Sequence, residues 1–224
     1  MIQIIEIPTE QTTAFTDLLL FFLAATSAIL VTQKGRRTEA RKALIWTWVF
    51  ILLAIAALFG AVAHGFKMSE NTNWLLWQPL NLALGLSVSL FAAGALLDLG
   101  NGSMPRSRVV ILVVLGIVFY ALTLMIPGSF LVFILYEAVI MLFALTVYII
   151  LAMRRKLTGA WWMVAGILIS IIAAAIQSSG TVRLNLVWSF DHNGIFHLVQ
   201  MVGIVVLLNG LLMDFKSHMG TASR

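Results

Sequence analysis

The sequence has no cysteine among its 224 residues, which excludes disulfides, thiolate metal centres and cysteine nucleophiles. Charge is almost as scarce. Asp, Glu, Lys and Arg together make up 10% of the chain, against roughly 25% in water-soluble domains. Proline occurs four times, so few positions are forced to break a helix. What remains is apolar, 61% of all residues. A soluble core does not hide that much apolar surface, and lipid is the solvent such a composition requires. The apolar runs use up the chain, so a single domain over residues 1–224 is expected.

Seven segments are predicted as transmembrane helices, each near the roughly 20 residues that cross the hydrocarbon. They are Thr13–Thr32, Ala43–Phe66, Trp74–Leu97, Val109–Ile126, Ser129–Met153, Gly159–Gln177 and His192–Met213. The expected fold is an all-α membrane protein, a bundle of seven helices. Its orientation follows from the bases. Lys34, Arg36, Arg37, Arg41 and Lys42 lie between the first two helices, and Arg106 and Arg108 precede the fourth. Arg154, Arg155 and Lys156 join the fifth to the sixth, and Lys216 and Arg224 are in the tail. Only Lys67 and Arg183 fall on the other side. By the positive-inside rule this predicts an N-terminus outside and a C-terminus in the cytoplasm, in a bacterial inner membrane. Because the bases follow the first run while Glu6 and Glu10 precede it, that run reads as a retained helix and not a cleaved signal. The net charge of +5 is therefore topology information, and no nucleic-acid partner is expected.

Smaller signals fill in the picture. Pro127-Gly128 predicts a very tight turn that makes helices 4 and 5 antiparallel neighbours. Pro79 is expected to kink helix 3, or to mark its start after a short interfacial piece. The seven tryptophans all lie near predicted helix ends, as an interfacial belt would place them. The connection Ser178–Asp191 alternates Val182, Leu184, Leu186 and Trp188 with polar residues. It is read as a loop on the membrane surface, with a strand or lid as the alternative.

Ionisable groups inside a bilayer are expensive, so each needs a reason. On the predicted topology they gather in the outer half. Asp17, His64 and His197 come from three helices to within roughly 10 Å of one boundary. Asp191, His192 and Asn193 open helix 7, and Gln78, Asn81 and Gln177 are nearby. Glu137 sits about two turns down helix 5, as a proton-carrying group or a partner of Gln177. The inner half holds Asp98 and Asn209, near the interface where water is available. Asn193, His197 and Gln200 share one face of helix 7, while His192 lies about 140° from His197. Each polar residue by itself also reads as interhelical glue; together they suggest a metal site.

With His64 on helix 2 and Asp191-His192-Asn193-Gly194-Ile195-Phe196-His197 opening helix 7, the chain resembles the seven-helix membrane hydrolases of the alkaline ceramidase and adiponectin receptor superfamily (CREST). Their pattern is Ser-x3-His on helix 2, Asp on helix 3 and His-x3-His on helix 7. His64 matches the helix 2 histidine and His197 the second histidine of helix 7. Gly60 stands at the serine position and Asn193 at the first helix 7 histidine, with His192 beside it. No Asp opens helix 3, where Gln78 or Asn81 takes that place and Asp17 is the candidate for the missing carboxylate. The chain also resembles bacterial seven-helix proteins with the same His-Asn-x3-His segment.

The resemblance implies zinc on His64, His197 and either His192 or Asp17, activating water against a lipid amide or ester. Asp17 or Asp191 would serve as base or orienting carboxylate. Asn193, Gln200, Gln78, Asn81 and Glu137 would support that site. The competing expectation is a non-enzymatic binding, sensor or accessory protein with membrane lipid as ligand, including a haem variant with His64 and His197 as axial ligands. A retinal protein is excluded, since helix 7 has no lysine before Lys216. No inverted repeat or charged file marks a transporter.

Overall fold

A computed structural model describes residues 3–126 and 130–222. Among the described residues, seven helices are long and apolar enough to cross a membrane. They are α1 (Pro8–Gly35), α2 (Ala40–Gly65), α3 (Glu70–Leu99), α4 (Arg106–Met125), α5 (Phe130–Met153), α6 (Ala160–Ser179) and α7 (His192–Ala222). Each contains its predicted apolar run almost entire. In hydrocarbon every backbone amide must be paired within the segment, which leaves helix as the solution for such runs. The extra turns lie at the ends. Pro8 begins α1 about a turn before the apolar stretch, where its missing N–H costs nothing. Ser69 caps α3 by accepting from the Thr72 amide at 3.2 Å, so Pro79 falls inside a continuous helix.

Helix packing gives a closed ring of six. In order around it, α1 packs on α2, α2 on α3, α3 on α5, α5 on α6, α6 on α7 and α7 back on α1. Helix α4 stays outside, mainly against α3 and only lightly against α5; Gly116 and Phe119 are its buried residues. The close α3–α4 crossing depends on two glycines, since a Cβ on Gly116 would come within 2.9 Å of the Gly85 carbonyl oxygen. Thus α4 makes its closest backbone approach to α3, while Phe119 reaches its sequence neighbour α5 and stacks on Tyr136 at 4.4 Å. The Pro127-Gly128 turn lies outside the described residues.

The ring has two unlike ends. One carries the start of α1, the α2–α3 connection and the α6–α7 connection; it is called the N-terminal end below. There the chain before α1 crosses to the end of α2, with the Ile5 amide donating to the Gly65 carbonyl at 3.0 Å. The α6–α7 connection is a small antiparallel hairpin, β1 (Leu184–Asn185) with β2 (Ser189–Phe190). The plain surface loop expected there is therefore replaced by the alternative strand reading. Leu186, Val187 and Trp188 are exposed at its tip. The opposite, basic end carries the α1–α2 and α5–α6 connections. Its core is packed around Trp46, Phe50, Tyr148 and Phe215. Trp46 departs from the interfacial expectation: it is fully buried, with its indole edge-on to Phe91 at 4.8 Å.

A central cavity with a polar mouth

Between the six ring helices lies a cavity of about 430 Å³. Its upper wall, toward the N-terminal end, holds Asp17, His64, His192, Asn193, His197 and Gln177. Its deeper wall is mostly apolar, built from side chains such as Val49, Leu53, Leu84, Met141 and Ile204, with Glu137, Ser170 and Gln200 at mid-depth and Trp46 at the floor. Sequence spacing explains the polar side of α7, because Asn193, His197 and Gln200 fall on one face and all three line the cavity.

The tightest polar contact joins α1 to α7. His197 Nε2 lies 3.2 Å from Asp17 Oδ1, and both residues are buried. The other ring nitrogen, Nδ1, lies 3.0 Å from Thr16 Oγ1. The Thr16 hydroxyl has one proton and two backbone carbonyls within 3.0 Å, those of Thr12 and Thr13. It donates there and accepts from His197 Nδ1–H. The contact between Nε2 and the carboxylate then requires a proton held between them, since two lone pairs do not face each other at that distance. The Asp17–His197 pair is thus a proton-bearing couple on the cavity wall. Gly60 makes it possible: a Cβ there would meet Asp17 Oδ2 at 2.7 Å. Asp17 fills the space in front of the position where the resembling family carries serine.

The remaining predicted site residues divide. His64 lines the cavity, but its Nδ1 pairs with Glu10 Oε2 at 2.6 Å. Asp191 caps α7: its Oδ1 accepts from the amides of Asn193 and Gly194, each at 3.0 Å, and from the Thr13 hydroxyl at 3.1 Å. Those bonds satisfy open amides of the first helical turn, a positioning task that agrees with the orienting role of the two expected for Asp191. Gln177 donates to Asn193 Oδ1 at 3.4 Å and not to Glu137. Gln78 accepts from the Tyr120 hydroxyl of α4 at 3.5 Å. Neither Gln78 nor Asn81 is among the cavity-lining residues. Helix α3 presents Trp77, Leu80 and Leu84 there instead.

The histidines do not form a three-nitrogen cage. Among the described residues, His64, His192 and His197 are not a trio with ligand atoms within 4.8 Å of one another, whereas Glu39, Asp214 and His218 at the basic end are. Zinc sites take at least three protein ligands. The cavity brings two, Asp17 and His197, to a spacing that one ion can share, so the donor set fits the expected metal only in part. An axial haem pair fits less well, because both ring nitrogens of His197 are already engaged.

A second polar centre escaped sequence reading. Lys42 is buried at the basic end, its Nζ 2.7 Å from both Asp98 Oδ1 and Asp214 Oδ2. Tyr148 donates its hydroxyl to Asp98 Oδ2 at 2.9 Å. Helices α2, α3, α5 and α7 meet there. Asp98, expected beside interfacial water, is buried. Lys42 was one base in a run of topology markers, and nothing in its spacing sets it apart. Glu39, which caps the same corner, lies 3.8 Å from both Lys42 Nζ and His218 Nδ1. Burial pushes its carboxyl above the ordinary glutamate range, opposed by the Lys42 charge.

No curated protein and no solved structure matches the chain. Residues 12–214, which take in α2 to α6 and most of α1 and α7, match one family, and by that match the chain belongs to the family of unknown function DUF6962.

Proposed function

We propose that this is an integral membrane protein that holds a single-chain amphiphile in its central cavity, the polar end of the ligand at the Asp17–His197 couple and its alkyl chain toward Trp46. The observation that carries this reading is the grading of one cavity from polar groups in its outer half to an apolar depth around Val49, Leu53 and Trp46. Its volume, about 430 Å³, falls within the roughly 300–1,000 Å³ of small-molecule sites. A water-filled channel would favour polar groups along its length, and a purely structural polar cluster would have no need of space beside it. The basic end faces the cytoplasm on this reading, by the charge asymmetry, so the ligand enters from the outer leaflet. The membrane is taken to be a bacterial inner membrane.

The experiment is quenching of Trp46. In nanodiscs, an ω-brominated dodecanol is expected to quench a saturable part of the fluorescence, and Trp46→Phe is expected to remove that part. Quenching that rises linearly with ligand, as simple partitioning would give, sinks the reading.

A second reading, a hydrolase for lipid amides or esters, is favoured by the Asp17–His197 couple, the proton-bearing pair on the cavity wall. It predicts turnover of long-chain amides or esters, assayed with and without added zinc, that disappears in Asp17→Asn and in His197→Ala. Saturable binding without turnover leaves the protein a binding or sensing subunit.

A further inference from the structure

We propose that the amphiphile carries a protonated amine, with Glu137 as its counter-ion; this rests on the amphiphile-binding reading above. The cavity wall contains the carboxylates of Asp17 and Glu137 and, among the described residues, no Lys or Arg. The charges near its mouth are locally matched, His64 by Glu10 and His197 by Asp17. Glu137 is different. It lines the cavity from α5, about 10 Å along the helix from its N-terminal end. It makes no hydrogen bond or ion pair with any described residue. An unpaired carboxyl at that depth in a bilayer calls for a partner.

Two further side chains on the cavity wall carry an oxygen without a hydrogen-bond partner among the described residues. Ser170 Oγ on α6 and Gln200 Oε1 on α7 are buried and unbonded, Ser170 being 3% exposed, and both line the cavity. Counted from Ser179, where α6 reaches the N-terminal end of the ring, and from His192, where α7 starts there, Ser170 and Gln200 lie about 12–14 Å down, close to the depth of Glu137. The three come from consecutive members of the ring, α5, α6 and α7. An ammonium group has three donors and no acceptor, which is the complement of a carboxylate, an amide oxygen and a hydroxyl oxygen. Aromatic faces, Phe133 one turn before Glu137 on α5 and Trp77 across from it on α3, line the same cavity and suit a cation. An ionised Glu137 would repel a fatty carboxylate or a phosphate headgroup.

The test is competition against the ω-brominated dodecanol in neutral-lipid nanodiscs, with empty nanodiscs run alongside to correct for partitioning. Dodecylamine is expected to compete about tenfold better than dodecanol, and dodecanoate at least about tenfold worse. Glu137→Gln, nearly isosteric, is expected to remove the advantage of dodecylamine over dodecanol, and Glu137→Asp to keep most of it. Dodecanoate competing as well as dodecylamine overturns the inference, as does an amine preference that survives in Glu137→Gln. In both of those cases dodecanol still binds and the amphiphile reading stands. Absence of saturable quenching by the brominated probe overturns both.

Discussion

His197 on α7 and Asp17 on α1 meet at 3.2 Å through Nε2 and Oδ1, closing the six-helix ring between its first and last members. The contact is buried and proton-bearing, so neither side chain is replaceable alone without leaving the other unsatisfied. His197→Ala and Asp17→Ala are each expected to cost about 1–3 kcal/mol, and the double variant less than their sum. Thermal unfolding in detergent measures the cycle; strict additivity would show that the two groups do not interact.

Gly60 supplies a separate check on the same contact. A methyl there would press on the Asp17 carboxylate and force it off His197. Gly60→Ala should therefore lower stability by about 1–3 kcal/mol. In an Asp17→Ala background the added methyl has room, and the penalty should largely vanish.

Lys42 is held by two carboxylates and is buried with them. Removing one member of such a group leaves uncompensated charge, at a cost of about 3–5 kcal/mol. Lys42→Met is expected to abolish the monodisperse folded peak on size exclusion. The triple variant with Asp98→Asn and Asp214→Asn should restore it, because the carboxylates that needed the ammonium are then neutral. A folded single variant would refute the assignment of this cluster as the tie between α2, α3, α5 and α7.

Filling the cavity should separate binding from folding. Ala57 on α2 lines it, and Ala57→Phe projects a ring into open space. Affinity for the brominated dodecanol should fall at least about tenfold with the melting temperature held or raised. Unchanged affinity would place the ligand elsewhere.

Glu39 carries a pH signature. Its carboxyl is raised from the ordinary value of 4.5, so folding favours the protonated form. Its favourable contribution is complete below about pH 4.5 and is lost as pH rises through the raised value. Glu39→Gln, permanently neutral, should flatten that part of the stability profile and match the parent at the acid end. Melting curves across the acid range decide it, and a parent profile already flat there would contradict the raised carboxyl.

The positions of the seven helices were legible because lipid imposes one rule on every residue of a span: an apolar run must pair its amides internally, so composition and length alone mark it. The face of α7 that carries Asn193, His197 and Gln200 was legible too, because helical period is a local property. The same local reasoning does not reach what depends on neighbours. Asp191 was grouped with the histidines by sequence proximity, yet the first turn of α7 claims its oxygen. Gln78 and Asn81 were placed by depth, and depth says nothing about which way a helix is rotated.

The sequence by itself determined that the chain is a bundle of membrane-length helices with a polar group of residues toward one end. Only the tertiary structure decided that six helices close a ring while α4 stands outside. It also decided that Asp17 faces Gly60 and His197, and that Lys42 lies buried between Asp98 and Asp214. Helix rotation and ring order are set by close approaches such as Gly166 against Leu207 and by pairings over more than a hundred residues of chain. Those energies belong to pairs, and a pair is not written in either member alone.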